Sequence, residues 1–217
     1  MKRKNKILSI IFLILTCILT SCGTSTQKST HPSNYEQLSN LIGLTKEHVC
    51  DHLTLSQDEL KNISTGLYLL PKKIEYEGYP FDVFLTFDAT EGEEILYGFW
   101  YRTTFEKDTQ EAADFTTKLA ERFAKSYTKW EVYETSNYIT EQDDLIGFLN
   151  SKGICTAAET FDLSGQTNDT IKDYISSYLQ ANEIELQYGL ILEVTSTEDS
   201  TITVSLKYEM ATNSLRE

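Results

Sequence analysis

Apolar and polar residues alternate with a period of two in two neighbouring stretches of the chain. Such alternation is typical of strands that turn one face to a core, and it predicts strands over residues 80–87 and 94–103 with a hairpin loop at 88–93. A further strand is expected within 66–76. The residues expected to face the core are Phe81, Val83, Leu85, Phe87, Ile95, Tyr97, Phe99 and Tyr101.

The period changes to that of a helix at residues 108–127. Apolar residues recur there at intervals of three or four, which predicts an amphipathic helix that covers the sheet. Acidic residues come early in this stretch and basic residues late, as the helix dipole favours. The apolar stripe consists of Ala112, Phe115, Leu119, Phe123 and Tyr127.

Two capping patterns precede these elements. Thr45 has the side chain of an N-cap, and it predicts a short helix with Val49 and Leu53 on one face. Ser56 is followed three residues later by Glu59, a capping-box spacing that predicts one or two further helical turns.

The second half of the chain mixes helix and strand signals in the same way. Thr140 predicts the start of a helix that carries residues 145–149 and stops by Gly153. A strand over 154–163, a helix over 169–181 and a hairpin of 189–196 with 201–210 follow. In that hairpin the inward residues are expected to be Ile202, Val204, Leu206, Tyr208 and Met210.

Taken together, these elements predict an α+β domain with a mostly antiparallel sheet packed by amphipathic helices on one face. The other side of the 80–103 hairpin is apolar for a face in water, because it carries Phe84, Leu96, Trp100 and Arg102. Either a helix or the C-terminal half covers these residues, or they form a binding surface, for which Trp and Arg are typical anchors.

The first 21 residues form a segment of a different kind. Four basic residues precede an apolar run over 7–18, and the run ends at Leu19-Thr20-Ser21-Cys22. A basic start, a short apolar run and small residues at its end are typical of a signal peptide, and the run is short for a membrane span.

Leu19-Thr20-Ser21-Cys22 resembles the lipobox of bacterial lipoproteins. The resemblance implies that the Cys22 thiol receives a diacylglycerol, that cleavage occurs before Cys22, and that lipid holds the mature chain to the outer side of a bacterial membrane. Residues 1–21 are then the signal peptide. Residues 22–34, which are rich in Ser and Thr, are a lipidated flexible tether, and residues 35–217 are a single domain.

The segment Ile42-Gly43-Leu44-Thr45-Lys46-Glu47-His48-Val49 is similar to the helix start of small envelope lipoproteins of the BamE and β-lactamase-inhibitor-protein type. The similarity covers eight residues. It implies an envelope role for the domain that follows.

The charge of the chain excludes one class of partner. Removal of residues 1–21 takes away four of the 19 Lys and Arg and none of the 33 Asp and Glu, so that the net charge changes from −14 to −18. A surface this acidic repels nucleic acid and anionic lipid headgroups. Nucleic acid is therefore not an expected partner.

The remaining cysteines and histidines leave two questions of chemistry. Cys50 and Cys155 either form a disulfide or stay as two free thiols, and their spacing does not decide between these. His48 and His52 share one flank of the predicted helix, which is a zinc-binding spacing, but the glutamate that follows the first histidine in zincins is replaced here by Val49. We expect neither a metal nor another cofactor.

The sequence contains no nucleophile elbow, phosphate-binding loop or dinucleotide fingerprint. We therefore expect a non-catalytic binding or envelope-accessory lipoprotein, tethered to the membrane by its lipid and bound to a protein, peptide or glycan. The alternative is an extracellular hydrolase that uses a pair of carboxylates.

Overall fold

The computed structural model describes residues 35–88, 92–106, 109–130, 139, 142–151, 153–163, 173, 185–199 and 201–213. The predicted signal peptide, the predicted tether and Thr140 lie outside these residues, as does the helix predicted at 169–181 apart from Asp173. The helices are α1 (Tyr35–Ser39), α2 (Lys46–Leu53), α3 (Thr109–Ser126), α4 (Gln142–Leu149) and a 3₁₀ helix (Gln57–Glu59). The strands are β1 (Lys61–Ser64), β2 (Leu67–Leu69), β3 (Ile74–Tyr76), β4 (Tyr79–Asp88), β5 (Ile95–Glu106), β6 (Thr128–Trp130), β7 (Cys155–Asp162), β8 (Glu185–Ser196) and β9 (Thr201–Asn213).

The strands form one nine-stranded sheet in which neighbouring strands are antiparallel. Their order is β1-β2-β4-β5-β9-β8-β7-β6, and β3 pairs separately with β4. The prediction of an α+β fold with a mostly antiparallel sheet is confirmed. The N-terminal hairpin β4–β5 and the C-terminal hairpin β8–β9 meet in the middle, where β5 pairs with β9.

Capping residues set the helix starts that the sequence indicated. The Thr45 side chain accepts a hydrogen bond from the backbone N–H of His48 at 3.4 Å, and α2 begins at Lys46, directly after Thr45. The backbone N–H of Ser56 donates to the Glu59 carboxylate at 2.8 Å, which closes the predicted capping box on the 3₁₀ helix. Both predicted helix starts are confirmed.

The strand predicted within 66–76 is two strands. Pro71 follows β2 and precedes β3, and proline has no N–H to donate to a ladder. Both strands still pair with β4, on either side of this break. The edge strand β1 was not predicted, since its four residues are all exposed and carry no alternation.

The long helix α3 contacts the sheet through its aromatic residues. The Phe115 ring lies 6.1 Å from Phe81 and 5.6 Å from Phe105, measured between ring centroids. The Phe123 ring lies 5.7 Å from Phe161 on β7. Phe81, Phe105 and Phe161 lie on one face of the sheet, which we call the core face.

The core face continues across the C-terminal hairpin as predicted. The predicted inward residues Ile202, Val204, Leu206 and Tyr208 are all buried, while the Met210 side chain lies outside the description. From β8, the core face receives the buried Leu190, Leu192 and Val194.

One part of the predicted core face is wrong. Thr86 lies opposite Gly98 but Phe87 lies opposite Leu96, so that β5 has one extra residue, Tyr97, at this point. Such a bulge reverses the alternation beyond it. Leu96 is therefore fully buried in the core, while Ile95 and Tyr97 are only half-buried.

Candidate binding surface

The face of the sheet opposite to the core face collects the polar and aromatic side chains of the four central strands. We call it the second face. Its composition follows from the register, because side chains alternate between faces along each strand. Its members are Asp82, Phe84 and Thr86 on β4, Gly98, Trp100 and Arg102 on β5, Ser205, Lys207 and Glu209 on β9, and Gly189, Ile191 and Glu193 on β8.

Three of the four residues predicted to form a surface are brought together here. Phe84 lies directly opposite Trp100, and Arg102 is the next residue of β5 on the same face. Leu96 does not belong to the group, since the bulge at Tyr97 turns it into the hydrophobic core beside Phe87.

Arginine covers the most apolar of these side chains. The Arg102 guanidinium carbon lies 4.3 Å from the centroid of the Phe84 ring, and Phe84 is 2 % exposed. The centroid of the Trp100 ring lies 6.3 Å from that of the Phe84 ring. A cation over a ring is attracted by the ring's negative face, and it shields the ring from water while its own charge stays solvated. The second face is therefore less apolar than the sequence suggested.

Trp100 connects this aromatic pair to the charges of β9 and β8. Its indole Nε1 donates a hydrogen bond to Glu209 at 3.2 Å. The ammonium of Lys207 lies 4.9 Å from the Trp100 ring centroid and 2.9 Å from the Glu193 carboxylate. One half-buried indole thus contacts both an acid and a cation.

Glu209 lies between two glycines of the second face, and we call this set of residues paired across β5, β9 and β8 the Glu209 row. Its neighbours across the strands are Gly98 on β5 and Gly189 on β8, so that no side chain stands directly beside it in the register. Burial raises the pKa of Glu209, and the hydrogen bond from Trp100 and the charge of Lys207 only partly offset this effect. Burial and then the negative charge of Glu209 raise the pKa of Tyr97. Tyr97 thus lies within electrostatic reach of Glu209.

Lys207 and Glu209 alternate with the predicted inward residues of β9 and so are expected to face outward, but the sequence did not indicate that they belong to this site. Their alternation with Leu206 and Tyr208 was the available signal. Their contact with Trp100 depends on the pairing of β5 with β9, which joins residues more than a hundred positions apart. No local pattern predicts a pairing at that distance.

The cysteines do not contribute to this surface. Cys50 on α2 is buried, Cys155 on β7 is half-buried, and both thiols are free. The structure thus has the second of the two arrangements that the sequence left open. The Cys155 thiol lies 3.3 Å from the Ser151 hydroxyl. Cys22, the predicted lipid site, lies outside the described residues.

The two helix histidines are exposed and do not gather other ligands. His48 Nδ1 lies 3.2 Å from the Thr45 hydroxyl. Within the described part of the chain, no group of three or more His, Cys, Asp or Glu is placed to hold a metal ion.

Several carboxylates away from the second face are paired with cations. These pairs join α2, α3 and the edge strand β6 to neighbouring parts of the sheet through charge-assisted hydrogen bonds. The ion pairs are Lys46 with Glu94 at 2.9 Å, Arg122 with Glu77 at 2.8 Å and Lys129 with Glu159 at 2.8 Å.

Two concavities lie elsewhere on the molecule. One of about 600 Å³ lies beside the end of α4 and the β8–β9 turn, lined by residues that include Asn150, Ser151 and Glu198. The other, of about 560 Å³, lies between the β3–β4 turn and the start of α3. Neither is lined by residues of the second face.

Comparison of the chain with known protein families, with characterised proteins and with solved structures finds no match. Among the described residues, no helix is both long enough and apolar enough to cross a membrane.

Proposed function

We propose that this chain is a cell-envelope lipoprotein whose domain is a non-catalytic binding module, held outside the bacterial membrane by a lipid on Cys22. The sequence Leu19-Thr20-Ser21-Cys22 supports the anchor, since it ends a basic and then apolar leader at a thiol. Residues 23–34 supply a flexible tether that lets the domain stand clear of the headgroups.

The observation that carries the binding role is the gathering of Trp100, Arg102, Lys207 and Glu209 on the second face. Trp and Arg are the residue types that most often anchor protein interfaces, and aligned strands hold them rigidly. The face presents both signs of charge beside aromatic rings, which suits a protein, peptide or glycan partner.

The one-sided packing of the helices is part of this proposal. The contacts of Phe115 with Phe81 and of Phe123 with Phe161 support it, because they join α3 to the core face. In this arrangement the second face is left for a partner.

The test is crosslinking and affinity capture from intact envelopes, with the full lipidated chain as bait. Trp100→Ala is compared with wild type and with Ile154→Ala, whose side chain is 75 % exposed outside the second face. We expect one crosslinked species with wild type and with Ile154→Ala that Trp100→Ala does not capture. The Trp100→Ala substitution should lower the free energy of unfolding by no more than about 2 kcal/mol, since the ring is only half-buried.

Two outcomes would contradict the binding role. A destabilisation of about 4 kcal/mol or more in Trp100→Ala would make the indole part of the core rather than of an interface. Equal capture by all three proteins would place the interaction on another surface.

A further inference from the structure

The carboxylate of Glu209 is half-buried and, within the part of the chain that the structure describes, has one hydrogen bond but no ion pair. It accepts a hydrogen bond from the Trp100 indole, but no ion pair joins it to any cation of the described residues. The nearest lysine in the register, Lys207, binds Glu193 at 2.9 Å instead. Burial of a charge that lacks a cation is costly, and here it raises the pKa of Glu209.

The Glu209 side chain is half-buried, so part of it is accessible to a cation from outside. Gly98 and Gly189 flank it on the neighbouring strands, so the row has no side chain on either side. A Cβ at Gly98 would lie 2.8 Å from the Glu209 Cβ, so β5 and β9 pack closely beside the base of the Glu209 side chain. Trp100 is the next residue of β5 on this face after Gly98, and its indole donates a hydrogen bond to the Glu209 carboxylate.

The second face already accepts an ammonium group. Lys207 places its Nζ 4.9 Å from the centroid of the Trp100 ring. An indole ring attracts cations most strongly among the aromatic side chains, and a carboxylate at its edge adds to that attraction. The full chain carries a net charge of −14, which draws basic partners to it and repels acidic ones.

We infer that the second face binds a lysine or arginine side chain of a protein partner at the Glu209 carboxylate, beside the Trp100 indole. This inference rests on the proposed function and names the chemistry of the partner. A protein rather than a small cation is the expected source, because a sheet face is broad and neither described concavity is lined by these residues.

The test uses the full chain in non-ionic detergent micelles, labelled with nitrogen-15. The probe is a Gly- and Ser-rich peptide that carries three lysines, and the readout is the NMR signal of the Trp100 indole N–H, assigned with Trp100→Phe. We expect the lysine peptide to shift this signal and to leave the Trp130 indole signal in place. The same peptide with acetylated lysines should shift neither indole signal, because acetylation removes the positive charge of the lysine side chains.

The decisive variant is Glu209→Gln, matched with Glu198→Gln on the exposed β8–β9 turn. Both remove one negative charge, and glutamine can still accept the hydrogen bond of the indole. We expect Glu209→Gln to lower the affinity for the lysine peptide by about tenfold or more. Glu198→Gln should leave this affinity within about twofold of wild type. Glu209→Gln should melt at the same temperature as wild type or higher, since it removes a buried charge.

Three results would overturn the inference. The first is that Glu209→Gln binds the lysine peptide as tightly as wild type does. The second is that Glu198→Gln loses as much affinity for the peptide as Glu209→Gln does. The third is that tetramethylammonium, at the concentration of lysine side chains used, shifts the Trp100 indole signal as much as the peptide does. If any of these occurs while envelope capture still depends on Trp100, the binding role stands and only the identity of its ligand is wrong. If capture is also independent of Trp100, the proposed function fails as well.

Discussion

The backbone of Gly98 lies so close to strand β9 that no side chain fits at this position on the second face. A Cβ there would lie 2.8 Å from the carbonyl oxygen of Tyr208 and 2.8 Å from the Cβ of Glu209. Glycine in a strand interior costs conformational entropy, so its presence indicates close packing rather than flexibility. Gly98 is one of the two glycines that lie opposite Glu209 on the neighbouring strands.

Gly98→Ala is therefore expected to destabilise the protein by about 1 to 3 kcal/mol, because the strands must move apart. Gly147→Ala in α4 is the matched control, since nothing lies within 4 Å of its added Cβ. We expect that control to stabilise the protein by about 0.5 to 1 kcal/mol through helix propensity. Urea denaturation measures both, and a neutral Gly98→Ala would contradict the close contact between β5 and β9.

At the scale of single residues, the sequence predicted side-chain directions well only where strands are regular. Phe81, Val83 and Leu85 face the core as expected, because the alternation is unbroken along β4. Leu96 and Tyr97 exchange faces because of one extra residue in β5. Alternation in a sequence does not show a bulge, since the register depends on the partner strand.

At the scale of elements, an ion-pair cluster joins the β3–β4 turn to the side of α3. Glu77 has a left-handed backbone conformation, with φ of 51°, and its carboxylate receives Arg122 at 2.8 Å and Lys118 at 3.3 Å. Arg122 also donates to the Tyr76 hydroxyl at 3.0 Å. The hydrogen bond from Arg122 is the main reason that the pKa of Glu77 falls to about 2.

This cluster predicts a defined pH dependence of stability. Because the pKa of Glu77 is lower in the folded state, its contribution is complete above the ordinary value of 4.5 and is lost as the pH falls from there towards about 2. Glu77→Gln should lower stability at pH 7 by about 1.5 to 3 kcal/mol and should lose less stability than wild type between pH 5 and pH 2. Thermal melting across this range checks it, with Glu121→Gln on the exposed side of α3 as control. Parallel pH profiles for wild type and Glu77→Gln would contradict the prediction.

Elements with their own local signals were predicted close to their observed bounds. The helix expected at 108–127 is Thr109–Ser126, and the C-terminal hairpin expected at 189–196 and 201–210 is Glu185–Ser196 with Thr201–Asn213. A stripe at helical spacing and a strict alternation each encode one element. The exposed edge strand Lys61–Ser64 has neither signal, and so it was missed.

At the scale of the whole molecule, the candidate site arises from contacts that are distant in sequence. Trp100 belongs to the N-terminal hairpin and Glu209 to the C-terminal one, and they meet because β5 and β9 are neighbours in the sheet. The sequence predicted the aromatic half of the surface from local pattern. Its charged half required the strand order, which hydrophobic periodicity does not contain.

The placement of this surface relative to a membrane depends on Cys22, and that is the last prediction. If Cys22 carries the lipid, residues 23–34 give the domain a reach on the order of 20 Å from the headgroups. The net charge of −18 that remains after removal of residues 1–21 would keep the domain off an anionic lipid surface, so that the second face stays available. A labelled palmitate should therefore enter the wild-type chain and be absent from Cys22→Ala, while Cys17→Ala, which changes the other cysteine of the leader, should still be labelled. Label that persists in Cys22→Ala would rule out this anchor, and loss of label in Cys17→Ala as well would show that the leader, rather than the Cys22 thiol, had been disturbed.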